Sequence, residues 1–103
     1  MRPCYPPPDI LFGIVIGRRY VVTGQVQGVG FRMFTERVAR HEGITGWVAN
    51  RTDGGVDVMA EGEVDAIERF ERRLRVGPPM ARVAAVESAD LPATGRWSGF
   101  ETR

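Results

Sequence analysis

Two hydrophobic periods alternate along this chain, one of two residues and one of about 3.6, and they predict strands and helices in turn. Residues 19–26, Arg-Tyr-Val-Val-Thr-Gly-Gln-Val, are rich in β-branched side chains and run out into glycines, which suits a strand. Residues 31–42 place Phe31, Phe34, Val38 and Ala39 on one helical stripe, with Arg32, Glu36, Arg37 and Arg40 on the other, and Gly43 stops the helix. Residues 44–51 alternate as a second strand, with Trp47 and Ala49 on one face and Val48 and Asn50 on the other. Thr52-Asp53-Gly54-Gly55 is a turn, and residues 56–61 alternate as a third strand, so the pair predicts an antiparallel hairpin that Gly62 ends. A second helix follows over residues 63–76, with Val64, Ile67, Phe70 and Leu74 inward and Arg72, Arg73 and Arg75 late, before Gly77-Pro78-Pro79 breaks it. Residues 81–91 alternate again, and residues 97–102 form a short closing strand around Phe100.

The order β-α-β-β-α-β plus a closing strand predicts an α+β, ferredoxin-like two-layer sandwich, with two helices on one face of a mostly antiparallel sheet. At 103 residues the chain holds one such core. Residues 1–17 are expected to be an extension outside this domain of residues 18–103. They begin with a proline-rich stretch containing Cys4 and continue into the apolar run of residues 10–16, too short to span a bilayer and lacking the cleavage site of a secretory leader.

All 14 basic residues are arginine, which removes Schiff-base and Walker-lysine chemistry, and the net charge of +1 gives no electrostatic footprint for nucleic acid. One cysteine closes no intrachain disulfide, and one histidine, His41, builds no histidine-based metal cluster. A reducing, cytoplasmic setting, no metal and no cofactor are therefore the expectations, with His41 read as an ordinary residue late in its helix.

The segment that carries chemistry is Gly24-Gln25-Val26-Gln27-Gly28-Val29-Gly30-Phe31-Arg32, where a strand gives way to a helix. Two glycines one residue apart let successive backbone N–H groups turn into one concavity, and the helix behind adds unpaired donors and its positive dipole end. Arg32 in the first turn has the planar fork that grips two phosphate oxygens. Ordinary turn chemistry and a solvated arginine are the plainer account of the same residues. A dinucleotide fingerprint would need glycine where Met33 stands, and a P-loop would need lysine.

The same segment, followed by Gly43-Ile44-Thr45-Gly46-Trp47-Val48-Ala49-Asn50, then Asp53-Gly54 and Val56, resembles the acylphosphatase family. The similarity runs from about residue 18 to the end and takes in Gly62, Gly77-Pro78 and the strand at Phe100. It implies metal-free hydrolysis of acyl phosphates to a carboxylate and inorganic phosphate. It also implies that the backbone of Gln27, Gly28, Val29, Gly30 and Phe31 cradles the phosphoryl group together with Arg32, and that Asn50 orients the attacking water. On the residues alone, an asparagine before a turn also serves simply as a hairpin cap. The alternative to an enzyme is a ferredoxin-like module that binds a small molecule or RNA without catalysis, which would need free aromatics on the central strands. The expected partner is a small acyl phosphate, with neither nucleic acid nor membrane. The expected state is a monomer, or a dimer if the apolar arm adds to a sheet edge.

Overall fold

A computed structural model describes residues 14–103. The proline-rich stretch, Cys4 and most of the apolar run lie outside the described residues. The elements are β1 (Val15–Gln25), α1 (Phe31–His41), β2 (Thr45–Asn50), β3 (Val56–Glu63), α2 (Val64–Val76), β4 (Arg82–Leu91) and β5 (Phe100–Thr102). The strands form one sheet in the order β4-β1-β3-β2-β5, antiparallel except where β5 runs parallel to β2. This is the expected ferredoxin-like sandwich. No helix among the described residues is long and apolar enough to cross a membrane.

Both helices bury the stripes their periodicity marks. Phe31, Val38 and Ala39 of α1 and Ala66, Ile67, Phe70 and Leu74 of α2 meet Tyr20, Val22, Val48, Val56, Val58 and Ala60 of the sheet. Phe70 is wholly buried, a transfer term of about 2 to 3 kcal/mol, and its ring tilts against Tyr20 at 6.0 Å and edge-on against Phe100 at 6.2 Å. Thr35 joins the buried stripe because its hydroxyl is spent on the Phe31 carbonyl at 2.8 Å. Phe34, placed on that stripe by spacing, is only partly buried and lies under Arg73.

Strand ends depart from expectation where pairing, rather than local pattern, sets them. β1 begins at Val15, so it takes in three residues of the stretch read as an extension, and Val15 and Ile16 pair with Glu63 and Gly62. Gly62 therefore does not end β3. It is buried in the strand, where a Cβ would lie 3.0 Å from the Ile44 side chain, so glycine here serves close packing. Gly46 is more demanding still: at φ +140° a Cβ would fall 1.8 Å from the Met59 carbonyl oxygen, which only glycine avoids. The closing strand is only half the expected length, because the connection before it is used as a strap.

That strap crosses the sheet face opposite the helices. Glu61, 3% exposed, accepts from the Thr94 N–H at 3.0 Å, the Thr94 hydroxyl at 2.9 Å and the Gly95 N–H at 3.0 Å. Burial alone would push this carboxyl up, but these three donors and the Arg96 charge outweigh it and hold the group below its usual 4.5. A depressed folded-state value stabilises the protein above pH 4.5, and that contribution fades as pH falls through the lower folded value. Glu61→Gln is expected to cost about 1 to 3 kcal/mol at pH 7 and less at pH 3, measured by thermal melts across that range. A constant difference would remove the charge from the account.

Candidate active site

The strand-to-helix turn folds as a cradle. Gly28 and Gly30 lie at φ +75° and +79°, left-handed values that glycine adopts without strain, and an added Cβ would meet nothing at either position. Conformation, not space, selects them. Gly30 caps α1 and accepts from the Phe34 N–H at 3.0 Å, which starts the helical ladder. Among the described residues, the backbone N–H groups of residues 28–33 donate to no protein acceptor. No acidic side chain sits in the first turn of α1 to compete for them.

These donors border a cavity of about 230 Å³ lined by Val26, Gly28, Gly30, Phe31, Arg32, Met33, Asn50 and Thr102. Its size suits a small anion rather than a nucleotide. The Arg32 Nη1 donates to the Arg103 carbonyl oxygen at 2.8 Å, which holds the guanidinium beside the cavity with its other nitrogens uncommitted among the described residues. Of the residues singled out in the sequence, Gly28, Gly30, Phe31, Arg32 and Asn50 come together here. Val29 instead packs against the core, and the Gln27 side chain turns to the β2–β3 hairpin.

Asn50 is exposed at the end of β2, and its side-chain amide has no hydrogen bond among the described residues. The hairpin turn is capped by Asp53, whose Oδ1 accepts from the Gly55 N–H at 3.0 Å. That N–H and then the Arg51 guanidinium hold the Asp53 carboxyl below its usual range. Arg51 pairs with Asp53 and Asp57, each at 3.0 Å, and so braces the turn from outside. The capping role open to Asn50 is thus filled by a neighbour, leaving its amide free toward the cavity.

Val26, Met33 and Thr102 also line the site and were not singled out by sequence. Thr102 arrives through the parallel pairing of β5 with β2, and its hydroxyl donates to Glu36. Arg40 donates to the Phe100 carbonyl at 3.3 Å, so one face of α1, at 32, 36 and 40, runs along the last strand. A stripe of polar residues four apart on α1 was the available signal, but nothing local names its partner. His41 lies exposed in the last turn of α1, away from the cavity residues.

Aromatics on the outer sheet face are occupied. Arg19 and Arg103 lie over the Trp47 ring at 6.0 and 4.9 Å, and Arg96 and Arg103 over Trp97 at 4.9 and 5.5 Å. Bases would have to displace these arginines to stack there, which weighs against the RNA-platform alternative.

Comparison with known proteins points the same way as the cradle. The acylphosphatase family model matches residues 18–102. An acylphosphatase of Deinococcus radiodurans is 49% identical over 75 residues, covering 73% of this chain and 86% of its own length. One of Salinibacter ruber is 46% identical over 82 residues, covering 80% and 86%. The crystal structure of acylphosphatase from Bacillus subtilis superposes with a TM-score of 0.83 at 33% identity, over 85% of this chain and 98% of that one. Glycine-rich cradle, Arg32 and hairpin asparagine thus sit in a fold and a sequence shared along nearly the whole domain, and the chain belongs to the acylphosphatase family.

Proposed function

We propose that this chain hydrolyses the carboxyl-phosphate bond of acyl phosphates in the cytoplasm, releasing a carboxylate and inorganic phosphate without a metal. The observation that carries this reading is the small cavity in which unpartnered main-chain donors, Arg32 and the free Asn50 amide meet. The backbone of residues 27–31 and Arg32 hold the phosphoryl oxygens, and Asn50 orients a water in line with the phosphorus. The water oxygen bonds to phosphorus as the phosphorus–carboxylate oxygen bond breaks, and the water's proton leaves to solvent or to the phosphate formed.

A carboxylate leaves with a conjugate-acid pKa of about 4 to 5, so no general acid has to protonate it. What the protein supplies is placement and fixed positive potential where charge spreads over the equatorial oxygens. A cytoplasmic setting agrees with a single cysteine and no disulfide. The domain needs no second copy to complete this cavity, in keeping with a monomer.

Release of phosphate from benzoyl phosphate, followed continuously with excess chelator present, tests the reading. Turnover well above the uncatalysed rate, unchanged by the chelator, is expected. A folded protein without turnover would overturn the reading, and loss of activity on chelation would overturn its metal-free form.

A further inference from the structure

The Gln27 side chain makes the only hydrogen bonds, among the described residues, between the cradle of residues 26–33 and the hairpin of residues 50–56. Its Nε2 donates to the Arg51 carbonyl at 2.7 Å and to the Gly55 carbonyl at 2.8 Å, both partly buried. These acceptors stand at the neck of the turn, where the Arg51 N–H also donates to the Gly55 carbonyl at 2.8 Å. Both amide protons are spent on the two sides of the hairpin that carries Asn50.

Backbone pairing does only part of this work. The β1–β3 ladder ends at the Val22–Val56 rung, which Asn50 continues by pairing with Val56, so the sheet holds Asn50 against β1 but stops short of the cradle. Arg51, Asp53 and Asp57 fix the shape of the turn relative to itself, to β3 and, through the Arg19–Asp57 pair at 3.2 Å, to β1, but they touch no residue of the cradle. The direct tie between the cradle and the hairpin that carries Asn50 is thus a neutral side chain with two donors on one nitrogen. Leucine matches its bulk without donors, and a glutamate carboxylate would face two carbonyl oxygens.

We propose that Gln27 is a positioning residue that sets the distance between the phosphate cradle and the Asn50 amide, a role that rests on the reading of Asn50 given above. Misplacement of reacting groups by about 1 Å costs on the order of 10²-fold, so the effect falls on the chemical step rather than on anion binding.

Gln27→Leu, Asn50→Ala and the double variant are compared by kcat on benzoyl phosphate and by competitive inhibition with inorganic phosphate. Gln27→Leu is expected to lower kcat about 10- to 100-fold while the phosphate inhibition constant moves less than about twofold, and the double variant is expected to be no slower than Asn50→Ala. Losses that multiply, an unchanged kcat in Gln27→Leu, or phosphate affinity that falls in step with kcat would each overturn the proposal. If Asn50→Ala itself keeps full turnover, the water-orienting reading fails first and the proposal falls with it.

Gln27→Glu supplies a second route should the leucine variant not fold. Its activity relative to the unaltered protein is expected to rise as pH falls from about 7 to 5, because a protonated carboxyl regains one donor. A flat ratio would overturn the proposal as well.

Discussion

Arg32→Lys is expected to lower kcat/KM for benzoyl phosphate by about 10²- to 10³-fold, and Arg32→Ala to lower it at least as far. The guanidinium already spends Nη1 on the Arg103 carbonyl, which fixes its plane beside the cavity and, on the function proposed above, leaves the remaining N–H groups for two phosphoryl oxygens. An ammonium is a compact, strongly hydrated charge that meets one oxygen at a time, so retaining the charge recovers little. Because Arg32 is only partly buried and lies outside the core cluster, melting temperatures are expected to change little. Steady-state kinetics with thermal melts decide the matter: a lysine variant with full activity and unaltered phosphate inhibition would reduce Arg32 to a surface clamp on the last strand.

Asn50→Ala is expected to lower kcat by roughly 10²-fold and to leave phosphate inhibition almost unchanged. The side chain makes no internal hydrogen bond among the described residues, and Asp53 caps the turn, so truncation removes no stabilising contact that the structure records. A hairpin-capping asparagine would give the opposite pattern, a lower melting point with turnover intact. Measuring both quantities on one preparation separates the two.

The helices were legible because a 3.6-residue stripe is local: Phe31, Val38, Ala39, Ile67, Phe70 and Leu74 mark buried faces without reference to the rest of the chain. The β2–β3 hairpin was legible for the same reason, since its turn chemistry and alternation lie side by side in sequence. The first strand's true start at Val15 was not, because an apolar residue becomes part of a strand only when a distant partner, here Glu63, supplies the ladder. Glycine at 62 reads locally as a breaker, whereas Ile44 packing across the sheet makes it a fitted strand residue.

The site divides along the same line. A Gly-x-Gly turn opening a helix advertises its donors in nine consecutive residues that end at Arg32, within the first helical turn. The role of the Gln27 side chain was hidden, because its acceptors are main-chain carbonyls 24 and 28 residues away that carry no sequence signature. Thr102 reaches the cavity only through a parallel pairing with β2, a register that no local period specifies.

The strap over the outer sheet face has an optical consequence. Both tryptophans of the chain, Trp47 and Trp97, sit under arginines on that face, and neither lines the cavity. Intrinsic emission therefore reports whether the crossing segment is seated, and Arg103, which lies over both rings while its carbonyl accepts from Arg32, links that signal to the cradle.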